Sequence, residues 1–229
     1  VNLFNSDMDI VEYYNLPFPD AVARLAQLAS FRPVEYISQP SNVTNIRTPI
    51  KAALTQASAA YHTHLTTSSK TLDYIASRGI THTDVTAFNI GFAPDAWDFI
   101  RTKIQKNHTP KALKDAGLIR SKEGSSHTYD VFRHRLMFPL RLPDGQVIAF
   151  GARSLQEGKE EQKKVGKYIN TEETPLFNKS LHLYGLYESS KHSSPEAKTL
   201  NIVEGYIDVI ASHRHGFTNT VSGMGTAIT

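Results

Sequence analysis

The chain has 229 residues, 40% of them hydrophobic and 21% charged, enough apolar material for the core of one domain or two small ones. No apolar run approaches the roughly 20 residues that span a bilayer and no signal segment opens the sequence, so a cytoplasmic or nucleoid protein with no membrane partner is expected. Cysteine is absent, which removes disulfides, thiolate zinc sites and cysteine nucleophiles together.

The net charge is only +3, a weak pointer to polyanions. Its placement says more: from Arg120 to Lys179 there are eleven basic and eight acidic residues, an excess equal to that of the whole chain.

In chain order, "DMDIVEYYNLPFPDAVARLAQLA" ends in a helical pattern, with Ala21, Val22, Leu25 and Leu28 on one face and Asp20 as N-cap. "SFRPVEYISQPSNVTNIRTP" carries three prolines and reads as a linker. A helix is expected from Ile50 to about Leu65, and "SSKTLDYIASRG" predicts a second, stopped by Gly79. Thr81 and Asp84 stand in capping-box spacing. "TPKALKDAG" predicts a short helix capped by Thr109, with Pro110 at its first position and Gly117 past its end. Trp97 reads as a core anchor.

After Gly117 the pattern becomes extended. "VFRHRLMFPLRLPDGQVIAFGARSL" predicts two strands around a Pro143-Asp144-Gly145 turn. Arg133 and Arg135, two apart in an extended strand, would share one face. "QEGKEEQKKVG" reads as a polar loop in which Lys159, Lys163 and Lys164 alternate with Glu157, Glu160 and Glu161 for solubility. "ESSKHSSPEAK" reads as a second linker. None of the ten histidines stands in metalloprotease spacing, and the pairs His62/His64 and His213/His215 read as exposed polar positions.

"LNIVEGYIDVIASHRHG" then places a short apolar strand before Glu204, Gly205 and a helix with Asp208 in its first turn. Ligands in open α/β sheets collect at the carboxyl ends of strands. Two carboxylates at such a turn can hold magnesium, which takes hard oxygen ligands. Alternatively, Asp208 stabilises the helix start through the macrodipole and Glu204 is a surface residue; from this stretch alone both readings stay open. "SGMGT" at 222–226 lacks the rest of a dinucleotide or Walker pattern.

"VEGYIDVIA", "YINTEETPLFNKSLHLYGLYES", "FRHRLMFPLRLPDGQVIAFGARSL" and "ASRGITHTDVTAFNIGFAPDAWD" together resemble the RNA polymerase core of bacterial DnaG-type DNA primases. The resemblance runs from about Ile50 onward. It implies an α/β fold: residues 1–30 as a tail following a missing zinc-binding module, 31–49 as linker, 50–196 as a mixed α+β N-terminal subdomain of the core, and 197–229 as the first part of a TOPRIM subdomain. It further implies DNA-templated synthesis of short RNA primers. Glu204 and Asp208 would be the catalytic acids, with Glu204 ligating Mg2+ or Mn2+. Arg133, Arg135, Arg153, Lys167, Tyr168, Asn170 and Lys179 would line the groove for nucleic acid and nucleotides. Ala152 stands where the family usually has glycine. Expected partners are a single-stranded DNA template, ribonucleoside triphosphates and the replicative helicase. Zinc belongs only to the missing module. An Asp-x-Asp metal motif is expected beyond Thr229, so the chain alone is expected to be inactive. The alternatives are a non-catalytic single-strand-binding module, or another TOPRIM protein such as a topoisomerase or nuclease.

Overall fold

The computed structural model describes residues 41–122, 124–125, 127–156, 166–192 and 199–224. The helix read around Leu25, the linker before Ser41 and the lysines of the 157–165 loop lie outside these residues. Ile46–Thr229 clusters as one unit, distinct from Val1–Asn45.

Helix α1 (Ser41–Thr66) buries Ile50, Ala53, Leu54, Ala57, Tyr61 and Leu65, the three-and-four spacing of a core-facing helix. It starts nine residues before Ile50, so 41–49 is helical rather than linker, even though Pro49 lies inside it and has no N–H to donate. The next elements follow the sequence reading closely. Helix α2 (Ser69–Ser77) ends before Gly79, whose φ is +74°. Helix α3 (His82–Ala87) carries a complete capping box between Thr81 and Asp84. After strand β1 (Gly91–Ala93) and helix α4 (Phe99–Ile104), helix α5 (Pro110–Asp115) is capped by the Thr109 hydroxyl.

Strands β2 (Ile119–Ser121) and β3 (Thr128–Asp130) form a small antiparallel pair. The main sheet has the order β1-β4-β5-β6, all antiparallel, with β4 (Arg135–Arg141), β5 (Val147–Ser154) and β6 (Tyr168–Asn170). The turn between β4 and β5 is the Pro-Asp-Gly turn, with Gly145 at φ +85°. A second sheet has the order β7-β9-β8, where β7 (Leu183–Tyr184) runs antiparallel and β8 (Asn201–Val203) parallel to β9 (Thr220–Gly223). Helices α6 (Leu186–Ser190) and α7 (Tyr206–Arg214) connect it. Strand β7 precedes the 196/197 boundary read from sequence, so the smaller sheet takes strands from both sides of that point.

Two apolar clusters flank the main sheet. Leu136, Phe138, Leu140, Ile148 and Ala149 pack with Tyr184, Tyr206, Val209 and Ile210. Met137, Phe150 and Ala152 pack with Ile50, Leu54 and Tyr61 of α1. Both faces of β4 and β5 are therefore covered, which explains why these strands read as nearly continuous apolar runs. Glu188, read from sequence as the start of a linker, sits in α6 and pairs with Arg141, with 7% and 12% of their side chains exposed. No helix among the described residues is long and apolar enough to cross a membrane.

Candidate nucleic-acid and metal site

The strand register sorts the basic residues by face. Leu136 stands opposite Arg153 and Arg153 opposite Tyr168, whereas Arg135 stands opposite Ser154. Directly paired residues share a face and neighbours alternate, so Arg153 and Tyr168 leave the sheet together and Arg135 leaves on the other side. Arg153 is 7% exposed, with its guanidinium 5.8 Å from the Tyr168 ring and 6.0 Å from the Tyr74 ring. Its Nε has no hydrogen-bond partner among the described residues. A desolvated cation held by aromatic faces and lacking a partner at one donor is suited to an incoming anion.

Tyr168 is the hub. Its phenol pKa is raised by burial, pulled down by Arg153, and raised again by Tyr74 and by the carboxylate of Asp208. Asp208 is thus within electrostatic reach of Tyr168, and Tyr206, at the start of the same helix as Asp208, packs edge-on to the Tyr168 ring at 5.9 Å. Asp208 lies in the first turn of α7, and Glu204 immediately follows β8; both are exposed. Gly205 between them has φ −134°, an extended backbone open to any residue. A Cβ there would come 3.1 Å from Oδ2 of the exposed Asp208 side chain.

Glu204 and Asp208 supply hard oxygen donors with no hydrogen-bond or ion-pair partner among the described residues. Such donors fit magnesium or manganese, which share carboxylates with water and phosphate oxygens. No cluster of three acidic, histidine or cysteine side chains occurs among the described residues, so a full coordination shell needs further ligands.

Residues 60–190, more than half of the chain, match the DNA primase catalytic core, N-terminal domain, and residues 198–229 match the Toprim domain. The chain belongs to the DnaG-type primase family. It is 37% identical over 226 residues to the DNA primase of Pseudomonas putida, covering 95% of this chain and 33% of that one. Among solved structures, the RNA polymerase domain of Mycobacterium tuberculosis primase DnaG, in complex with a double-stranded DNA oligomer with a 6-nucleotide overhang, has a TM-score of 0.71 at 33% identity, covering 80% of this chain and 56% of that one. The zinc-binding and RNA polymerase domains of Aquifex aeolicus primase have a TM-score of 0.71 at 27% identity, covering 97% and 52%. The chain spans between about a quarter and a third of the length of these curated relatives. The α/β fold, with a Toprim domain beginning at the C-terminal end, is that of the DnaG catalytic core.

Within this primase core the groove residues read from sequence do not form one row. Arg133 precedes β4, and His134 beside it has φ +49°, so the extended i, i+2 relation to Arg135 fails. Arg133 instead lies over the Trp97 ring at 4.0 Å, with Tyr129 edge-on to that ring. Trp97 is 63% exposed and is no core anchor; Ile100 and Ile104 of the following helix fill the core in its place. Arg135 is 4% exposed and donates to the Gly166 carbonyl at 3.0 Å. Burial, and then the Arg133 charge, lower its pKa. Lys167 is exposed beside Tyr168, and Lys179 is exposed on the turn after β6. Asn170 is held by Tyr206 and by the Met224 carbonyl.

Sequence reasoning missed Tyr74 on α2 and Arg78 at its C-cap, whose side chains stack 5.5 Å apart; their four-residue spacing was the available signal. It also misread three histidines as exposed, though His215 is exposed as read. His62 contacts the Ile90 carbonyl, His64 stacks on Phe92 and Phe99, and His213 contacts the Thr220 carbonyl.

Proposed function

We propose that the protein is part of an enzyme that copies single-stranded DNA into short RNA primers by metal-dependent nucleotidyl transfer. The observation that carries this reading is the pairing of Arg153 with Tyr168 on one face of the main sheet, with Tyr206 of the helix that follows the Glu204 turn packed against the same Tyr168 ring. A cation with an unpartnered donor beside an exposed ring suits a phosphate and a base or sugar, without reading sequence. That is the binding an enzyme needs when it must begin on many templates.

Glu204 and Asp208 would hold Mg2+ or Mn2+ together with carboxylates beyond these residues. The bound metal supplies charge neutralisation for the triphosphate and for the leaving pyrophosphate. Arg153 would orient a phosphate against that turn, and Tyr168, 41% exposed, would stack on the nucleotide or template. Trp97 with Arg133 and Tyr129 offers a second stacking surface, and Lys167 and Lys179 add exposed positive charge. Ribonucleoside triphosphates, the replicative helicase, a zinc-binding module like that of the Aquifex protein, and a place at the bacterial replication fork in the cytoplasm belong to the same reading.

The test is primer synthesis by the full-length protein on an unprimed single-stranded template. RNA products that require template, all four ribonucleotides and Mg2+ or Mn2+ are expected. Binding of the template with no product under either metal would favour a non-catalytic binding module.

A further inference from the structure

Glu204 has little to hold it in place. Strand β8 is three residues long, pairs only with β9 among the described residues, and leaves Ile202 53% exposed. The first deeply buried side chain after it is Tyr206, 5% exposed, three residues past the end of the strand at the start of α7.

The Tyr206 ring has a dedicated seat. A Cβ at Gly151, in the middle of β5, would come 2.4 Å from Cε2, 2.6 Å from Cζ and 2.8 Å from the hydroxyl oxygen of that ring. Glycine inside a strand often marks such a close approach, and here it lets α7 lie directly on the main sheet. The hydroxyl then donates to Oδ1 of Asn170 at 2.6 Å. Burial raises the phenol pKa, so the group stays protonated and acts as the donor. This fixes the orientation of the Asn170 amide, whose Nδ2 donates to the carbonyl of Met224, one residue past β9. A single side chain of β6 therefore grips the chain after both parallel strands of the smaller sheet.

We infer that Tyr206, Asn170 and Gly151 form a clasp that fixes the start of α7, and with it the Glu204 turn, on the sheet face that carries Arg153 and Tyr168, with Asn170 acting as a positioning residue. The inference rests on the function proposed above. Arg153, Gly151 and Asn170 belong to paired positions of β5 and β6: Gly151 stands opposite Asn170, and Arg153 opposite Tyr168. The clasp and the phosphate-binding face thus lie one pleat apart on the same two strands, so a shift of α7 would move the carboxylates relative to Arg153.

The experiment measures kcat and KM for ribonucleotides, and single-stranded DNA affinity, in the full-length protein carrying Tyr206→Phe, Asn170→Ala, both together, or Glu204→Gln. Tyr206→Phe keeps the ring in its seat and removes one hydrogen bond, so kcat should fall about fivefold, the worth of one such bond. KM and DNA affinity should stay within about twofold of wild type, the pattern of a lost transition-state alignment. Asn170→Ala should lower kcat at least as far, and the double variant no further than Asn170→Ala alone. A wild-type kcat for Tyr206→Phe beside an inactive Glu204→Gln would overturn the clasp alone. So would independent, additive losses in the double variant, or a raised KM with unchanged kcat for Asn170→Ala, which would mark a nucleotide contact. Full synthesis by Glu204→Gln would overturn the proposed function, and the clasp with it.

Discussion

Arg153 and Arg135 look equivalent in the sequence, and the structure makes them opposites. Arg153→Ala removes a guanidinium that shares its face with Tyr168 and has an unpartnered Nε among the described residues. If that group takes a template phosphate, its loss should weaken single-stranded DNA binding and flatten the log–log salt dependence by about 0.7, the release expected from one single-strand contact. Arg135→Ala should do something else. Its side chain is buried and donates to the Gly166 carbonyl, and losing a hydrogen bond made by a charged group costs about 1.5–3 kcal/mol. That loss should appear as a lower unfolding midpoint with the salt slope unchanged. Lys111, exposed and paired with Asp115 on α5, serves as a control, and Lys111→Ala should alter neither quantity. The assay is fluorescence anisotropy of a labelled oligonucleotide across a salt series, beside thermal unfolding of each variant. An equal flattening for Arg135→Ala, or an unchanged slope for Arg153→Ala, would refute the assignment of faces.

Asp130 gives a pH prediction. Its carboxylate accepts the N–H groups of Ile100 and Arg101 at the start of α4, yet burial pushes its pKa from 3.8 up to about 6. The folded state holds this proton more tightly than the unfolded chain, so stability should fall as pH rises from about 4 to about 6, by about 3 kcal/mol for a shift of about two units. Asp130→Asn should remove that part of the pH dependence, measured as the difference between variant and wild-type urea midpoints; an unchanged profile would contradict it. Glu188→Ala should cost about 3–5 kcal/mol, because it leaves the Arg141 cation buried without its carboxylate. A loss under about 1 kcal/mol in denaturant unfolding would show that the pair behaves as an exposed one.

Local signals carried much of the fold. The Thr81–Asp84 capping box, the Thr109–Pro110 helix start and the Pro-Asp-Gly turn each depend on residues within a few positions, and each stands where the sequence placed it. The long α1 was cut short because Pro49 looked like a boundary, while the buried stripe beginning at Ile50 supports the helix past it. The site was only half legible. The pairing of Arg153 with Tyr168 depends on register across three strands, and the left-handed His134 breaks the alternation that would have joined Arg133 to Arg135. Tyr206 read as one letter of "EGYID"; its seat on Gly151 and its bond to Asn170 join positions 55 and 36 residues away. Trp97 was misjudged because size suggests burial, whereas a tryptophan stacked under an arginine can remain exposed.

The most direct test of the central claim is Glu204→Gln in the full-length protein, assayed in parallel for template-dependent primer synthesis and single-stranded DNA binding. The swap removes a negative charge while keeping the shape of the turn after β8. The account predicts loss of primer synthesis with either Mg2+ or Mn2+ and template affinity within about twofold of wild type, since a lost transition-state interaction lowers turnover without weakening ground-state binding. Primer synthesis at close to the wild-type rate would contradict it.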